Sequence, residues 1–375
     1  MRKQLDLNFA SASSKSDISL KPLRIAGHDL EPTPVFEAYW QFAAERQQIF
    51  FNRLASRPTP TNDPVLREFK FTNTYRASDR VSQYLIRQVV YREDLPSDPK
   101  NLFFRIMLFK LFNKIETWTQ LEDVLGPPTW DDYSYQAYER VLSRRFEAGD
   151  KLYSAAYIMP SAGSAYGHPR KHQNHLRLIE FLMQADYPAR VAACQSMAEV
   201  YALLLEAPSI GPFLAYQYAT DLNYSTIHDF SETEFVVAGP GALDGISKCF
   251  KSTNGVSAED VIRYMCAEQE RHFSRQAISF PSLWGRPLQL IDCQNIFCEI
   301  SKYARVAFPE YAGSAGRVRI KQKFSSAGAL PPPFYPPKWG INGAVQKESK
   351  SADRPGQQAR SPRTRKPDRE VQTPA

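Results

Sequence analysis

Between Glu206 and Gln217 the chain reads EAPSIGPFLAYQ. Pro208 and Pro212 brace a tight turn, Ile210 stands between Ser209 and Gly211, and Ala215 opens a second helix able to pack closely. The preceding CQSMAEVYALLLEA has the apolar spacing of a first helix. Helix, short turn and helix in this order form the helix-hairpin-helix pattern. Its exposed N–H groups at a helix N-terminus favour a phosphate oxygen, so Ile210 and Gly211 mark a candidate DNA contact. The usual first glycine of such a turn is Ser209 here, and a plain turn between two packed helices fits the same letters.

Outward from this stretch the pattern is helical. PVFEAYWQFAAERQQIFFNRLAS places Phe36, Trp40, Ala43, Ala44, Ile49, Phe50 and Leu54 near a 3.6-residue period. ASDRVSQYLIRQVVY has Ser78 as an N-cap candidate, and PKNLFFRIMLFKLFNKIETWTQLEDVL is apolar nearly all round from Leu102 to Phe112, which predicts a central buried helix. Further helices are expected at 131–148, 171–185, 193–205, 213–221, 257–271 and 293–306. The strand-like YSAAYIM and FVVAG do not alternate with helices as βαβ units do. The expected fold is therefore mainly α, a helical domain over 31–310. A Ser- and Lys-rich arm (1–30) and a Pro-rich basic tail (311–375) are expected to be disordered.

Charge separates body from tail. Of the formal +7, the residues from Tyr311 onward hold 13 Lys and Arg against 4 Asp and Glu. The body is slightly acidic, so DNA contact there needs a local patch. The bland reading of the tail is a solubilising extension, and the functional one is a sequence-independent phosphate contact. Five cysteines with no CxxC pair argue for a reducing compartment. With no long apolar run and no signal-peptide core, a cytoplasmic protein without membrane attachment is expected.

Four stretches carry candidate chemistry. FVVAGPGALDGISKCF is a Gly-rich loop entering a helix, but its glycines and Lys248 do not have Walker A spacing, and no P-loop for ATP occurs elsewhere. Gly241 and Lys248 remain candidates for holding a phosphate, and no cofactor is evident. LQLIDCQNIFCEISKYARV ends an apolar run in Asp292 and continues with Gln294, Asn295, Glu299 and Lys302. Asp292 and Glu299 are candidate acid/base groups, and Lys302 a phosphate ligand. Equally, Asp is a common N-cap, and Glu299 with Lys302 is an ordinary i, i+3 pair. FKFTNTYRASDRVSQYLIR gathers Lys70, Asn73, Tyr75, Arg76, Asp79, Arg80 and Gln83, suited to phosphate contact and to stacking on an extruded base, or to a solvated face with an Asp and Arg pair. HPRKHQNH brings three histidines together without a carboxylate or Cys to complete a zinc set, which reads as a solvated loop, so no metal site is expected.

FTNTYRASDRVSQYLIR, LFFRIMLFKLFNKIETW, IGPFLAYQYATDLNYS, FVVAGPGALDGISKCF and LIDCQNIFCEISKYAR together resemble the helical domain associated with 5-hydroxymethyluracil DNA kinases. That domain is close to the α-glutamyl/putrescinyl-thymine pyrophosphorylases of DNA base hypermodification. The resemblance covers about 35–310. It implies a helix-hairpin-helix, DNA-glycosylase-like fold that handles a thymine-derived base in double-stranded DNA, with phosphate or pyrophosphate displaced by an amine. In the glycosylases an aspartate heads a helix some way after the hairpin. Asp292 has the right setting, whereas Glu232 and Glu234 have the nearer spacing, which keeps Glu234 among the catalytic candidates. The kinases add a P-loop domain that these 375 residues lack. The resemblance thus implies a transferase acting on the activated base, a DNA-binding subunit serving a separate P-loop kinase, or a glycosylase.

Overall fold

The computed structural model describes residues 21–352 apart from 158, 326, 327 and 329. Expectations for 1–20 and 353–375 lie outside the described residues. What is described is mainly α. One two-stranded antiparallel hairpin, β1 (Leu23–Ile25) and β2 (His28–Leu30), pairs Leu23 with Leu30 and buries Ile25 and Leu30. Residues 21–30 are thus part of the body, a correction to the loose arm expected there.

Thr33 starts α1 (Pro34–Leu54), its hydroxyl accepting from Val35 N while Pro34 fills a position needing no N–H. After α2 (Pro64–Glu68), a 3₁₀ turn at Arg76–Ser78 precedes α3 (Arg80–Tyr84), which continues as a π-helical turn over Leu85–Val90. Ser78 is therefore not the N-cap; Asp79 holds that position. The stretch 99–125, expected to hold a central buried helix, forms two, α4 (Pro99–Phe112) and α5 (Ile115–Leu125). Asn113 between them turns left-handed at φ 49°, a conformation that ends a helix and that Asn tolerates. Next come α6 (Tyr135–Glu147), α7 (Gly163–Tyr166), α8 (Lys171–Gln184), α9 (Tyr187–Ala193), α10 (Met197–Leu205) and α11 (Pro212–Asn223). The chain then forms α12 (Pro240–Cys249), α13 (Ala258–Ala267), α14 (Gln269–Arg275), α15 (Leu290–Ala307) and α16 (Asn342–Ala352). Neither YSAAYIM nor FVVAG forms a strand among the described residues.

Two apolar cores result. One joins α1, α12, α13 and α15; the other joins α4, α6 and α8 to α11. Helix α11 serves both, Tyr216 facing the first core and Leu214, Tyr218 and Leu222 the second. Polar groups of α11 that face neither core are confined to the seam between them.

HPRKHQNH is not a solvated loop. His172 and His175 lie on α8 and are buried, His172 against Ser143 Oγ (2.9 Å) and His175 between Tyr153 OH (2.9 Å) and Pro160 O (2.7 Å). Burial pulls His175 down to about 4, so the ring stays neutral. The tail is also corrected in part. Tyr335, Ile341 and Val345 are buried on the first core, Ser78 Oγ and Tyr335 OH are 2.9 Å apart, and Lys338 Nζ donates to the carbonyls of Asn223, Ser225 and His228. Prolines fix φ in advance and aromatics supply the burial, so this strap folds without helical periodicity.

The Gly-rich loop has a packing role. A Cβ on Gly245 would sit 2.1 Å from the Phe297 carbonyl oxygen, and one on Gly241 2.9 Å from Cys298 Sγ. Glycine here lets α12 lie directly against α15. Gly245→Ala must push two helix backbones apart and is expected to lower stability by about 3 kcal/mol in urea unfolding. Gly343→Ala, where nothing lies within 4 Å, is expected to be neutral or slightly stabilising in the same experiment.

Candidate active site at the seam between the two cores

Lys110 is a cation inside an otherwise apolar face of α4, and Asp221 and Gln217 lie one helical turn apart on α11. Lys110 joins through Asp221, and both Asp221 and Gln217 meet Arg76, which the 3₁₀ turn places between the cores. Its guanidinium donates to both Asp221 oxygens (2.8 and 3.0 Å) and to Gln217 Oε1 (2.9 Å). Lys110 Nζ lies 3.2 Å from Asp221 Oδ2 and donates to Asn113 Oδ1 at 2.8 Å. Arg76, Lys110 and Asp221 are 1%, 2% and 0% exposed, so their charges must be balanced internally. Burial works against the Asp221 carboxylate, but the two cations outweigh it and hold it below the usual range. Lys110 is lowered to about 8, burial prevailing over its attraction to Asp221.

Two rings cover this cluster. Tyr157 lies 4.7 Å from Lys110 Nζ and 5.8 Å from the Arg76 guanidinium carbon. Phe213, in the first turn of α11, stacks on Tyr157 with centroids 5.8 Å apart and planes at 9°. Both rings are half-buried. Phe213 owes its place to the hairpin stretch: Ser209 takes φ 66°, Ile210 is buried as the anchor, and Gly211 is the N-cap of α11. Gly239 faces them from the Gly-rich loop, where a Cβ would lie 2.7 Å from Phe213 and 3.2 Å from Gln294 Nε2.

Asp79 stands beside them. Although at the N-cap of α3, its carboxylate turns back to accept from Asn73 N at 2.8 Å, and its Oδ2 makes no hydrogen bond among the described residues. Burial, reinforced by Glu299 and countered by the Asn73 N–H, Arg46 and Arg76, raises it to about 7. A half-buried carboxyl group with one free oxygen and a pKa near neutrality is suited to proton transfer.

The sequence candidates divide clearly. Asp292, Asn295 and Glu299 lie along α15 and tie down residues 72–76, with Lys302 paired to Glu299. Asp292 Oδ1 accepts from Arg76 N (2.8 Å) and Oδ2 from Gln289 N (3.0 Å). Asn295 Nδ2 donates to Thr72 Oγ1 and Asn73 O, and Glu299 Oε2 accepts from Thr72 N at 3.0 Å while pairing with Lys302 at 2.6 Å. Burial raises Asp292 to about 7, against the lowering effect of its two N–H donors, yet both oxygens are already engaged. Gln294 faces Cys298 Sγ at 3.3 Å.

Others stand apart. Arg80 is exposed on the far side, 3.5 Å from Glu116. Glu234 is exposed, whereas Glu232 is the acid drawn inward, accepting from Arg286 at 2.7 Å. Lys248 is no open phosphate ligand: its buried ammonium donates to Ser301 O at 2.8 Å and lies 3.4 Å from Asp244. Gly241 faces Cys298 instead of an open cradle. Asp221, Lys110, Tyr157 and Phe213 were missed. The signal available for two of them was a lone charge within an apolar helix, which requires a buried partner.

Comparison with known proteins places the chain in a family. A family model described as 5-hmdU DNA kinase, helical domain, matches residues 33–313. A 5-hmdU DNA kinase of Bacillus phage SP10 is 27% identical over 302 residues, which is 75% of this chain and 46% of that protein. The chain therefore spans about half the length of this relative. No solved structure matches it. No helix among the described residues is long and apolar enough to cross a membrane. The chain belongs to the 5-hmdU DNA kinase helical-domain family.

Proposed function

We propose that this chain acts in DNA base hypermodification, receiving a 5-hydroxymethyluracil or its phosphorylated form from duplex DNA and displacing the phosphate with an amine. The observation that carries the reading is the stacked Tyr157 and Phe213 pair over two buried cations that share one firmly ionised carboxylate, with Asp79 alongside. A base rotated out of the duplex stacks on exposed aromatic rings. The excess positive charge beneath favours a phosphate attached to it.

The step is a displacement at the exocyclic methylene carbon. The amine nitrogen forms a bond to that carbon as the carbon–oxygen bond to phosphate breaks, the phosphate leaves with the electron pair, and Asp79 takes the amine proton. Arrival of a phosphate dianion raises Asp79 further, which strengthens it as a base. Residues 72–76, held by α15, keep Arg76 and Asp79 in register. The hairpin before α11 contributes phosphate contacts at Gly211. The step starts from a base that already carries phosphate, so a separate P-loop kinase that supplies it belongs to the same proposal.

Nucleoside mass spectrometry tests it. Duplex DNA containing thymine, 5-hydroxymethyluracil or its phosphorylated form is incubated with the protein and a mixture of amines. A new nucleoside that carries the amine in place of the phosphate, formed only from the phosphorylated base, is expected. Loss of the base identifies a glycosylase instead. Unchanged DNA with retained binding identifies a DNA-binding subunit for the kinase instead.

A further inference from the structure

Across the end of the family match at residue 313, the run Tyr311–Ser325 holds Arg317, Arg319, Lys321 and Lys323 and no acidic residue. It is fixed to the body although it forms no helix. Lys70 N donates to Gln322 O (3.0 Å), Phe324 N to Glu68 O (2.9 Å), Phe69 and Lys323 form an antiparallel bridge, and Arg305 Nη1 donates to Arg319 O (3.1 Å). Ile320 packs on the first core. The four cations alternate with other residues, and an extended course would space them about 6.6 Å apart along one side. All four are exposed. Lys323 pairs with Glu68 at 3.3 Å, whereas Arg317, Arg319 and Lys321 have no carboxylate partner among the described residues.

The strip also leads somewhere. Its anchor, Lys70, is two residues from Thr72, whose N–H and hydroxyl are held by Glu299 and Asn295 at the seam. Lys302 lies 5.3 Å over the Phe71 ring and 2.6 Å from Glu299, the acid that holds Thr72 N. The facing acids, Glu68 and Glu299, are each already paired with a lysine. We infer that Arg317, Arg319 and Lys321 form a phosphate-backbone track that guides duplex DNA to the seam. This rests on the reading of the seam as a DNA-base site. A fixed row of unpaired cations on a slightly acidic body supplies the local patch that such binding needs.

The test is a titration of a thymine duplex at salt concentrations between about 50 and 200 mM. For the triple variant Arg317→Gln, Arg319→Gln, Lys321→Gln the slope of log K against log salt is expected to be shallower by about 2.7, close to 0.9 per lost contact. The same loss is expected on a 5-hydroxymethyluracil duplex, because phosphate contacts carry no base information. Arg140→Gln, Arg144→Gln, Lys151→Gln removes equal charge from another exposed face and is expected to leave the slope unchanged. An unchanged slope in the strip variant, or an equal change in the control, overturns the track while the seam reading stands. A wild-type protein that shows no salt-dependent DNA binding overturns both.

Discussion

Asp221→Asn is expected to cost about 3–5 kcal/mol of folding stability, the penalty for breaking a buried ion cluster from one side. The side chain is 0% exposed, and its carboxylate is the shared counter-charge of Arg76 and Lys110. An amide of the same shape leaves two cations with no anion and turns an N–H₂ group toward one of them. Denaturant unfolding at pH 7 reads the loss, and Lys110→Met in the same chain is expected to recover part of it, since that change removes one of the stranded charges. A loss below about 1 kcal/mol, typical of a surface pair, would show that water reaches the cluster. The pH dependence has a defined sign. A carboxylate held low contributes its stability above the unfolded value near ~4 and loses it as pH falls through the lower folded value, so the difference between wild type and variant narrows only in acid. Lys110 acts oppositely. Its pKa is lowered to about 8, so the penalty for burying its ammonium is full below that pH and is relieved up to the unfolded value near ~10.4. Wild type therefore gains stability across that alkaline window, and Lys110→Met does not.

The parts of this cluster differ in how far the sequence discloses them. Periodicity marks α1 and α15 because each buries one continuous face, and the paired prolines mark the turn before α11. The same reasoning does not separate the two helices over 99–125, since nothing in the apolar pattern records that Asn113 turns left-handed. Arg76 stands out in a polar stretch, but its partner lies 145 residues away, and a single sequence does not couple the two. Asp79 invites pairing with Arg80 by adjacency. In the fold Arg80 points to Glu116, and Asp79, in extended backbone ahead of α3, turns back to the Asn73 N–H. The strap at 331–345 escapes notice for another reason. Its burial is carried by Tyr335 and by a lysine that closes the carbonyl end of α11, neither of which produces a period. Glycine placement misleads in the opposite direction. A Gly-rich loop entering a helix suggests a phosphate cradle, yet Gly241 and Gly245 serve a close contact between helices.

Asp79→Asn is expected to lower the rate of base modification by about 10²–10⁴ while leaving DNA affinity and fold intact. The asparagine Oδ1 still accepts from Asn73 N, and the new N–H₂ replaces an oxygen that has no hydrogen bond to lose among the described residues. Burial raises this carboxyl group to about 7, so the deprotonated base predominates only above that pH, and the wild-type kcat/KM should fall on the acid side with a midpoint there. The variant should show no such limb. Stability moves the other way. A raised carboxyl pKa imposes a penalty that is complete above about 7 and absent below the unfolded value near ~4, so the variant should become relatively more stable as pH rises between them. Asp292→Asn separates the two acids. Both Asp292 oxygens accept backbone N–H groups, so the amide sets N–H₂ against a donor, and a stability loss of about 1–3 kcal/mol is expected without removal of the acid limb. If Asp292→Asn abolished the limb and Asp79→Asn kept it, the base would be Asp292, and the half-open carboxylate beside Tyr157 would serve only to hold the Asn73 turn.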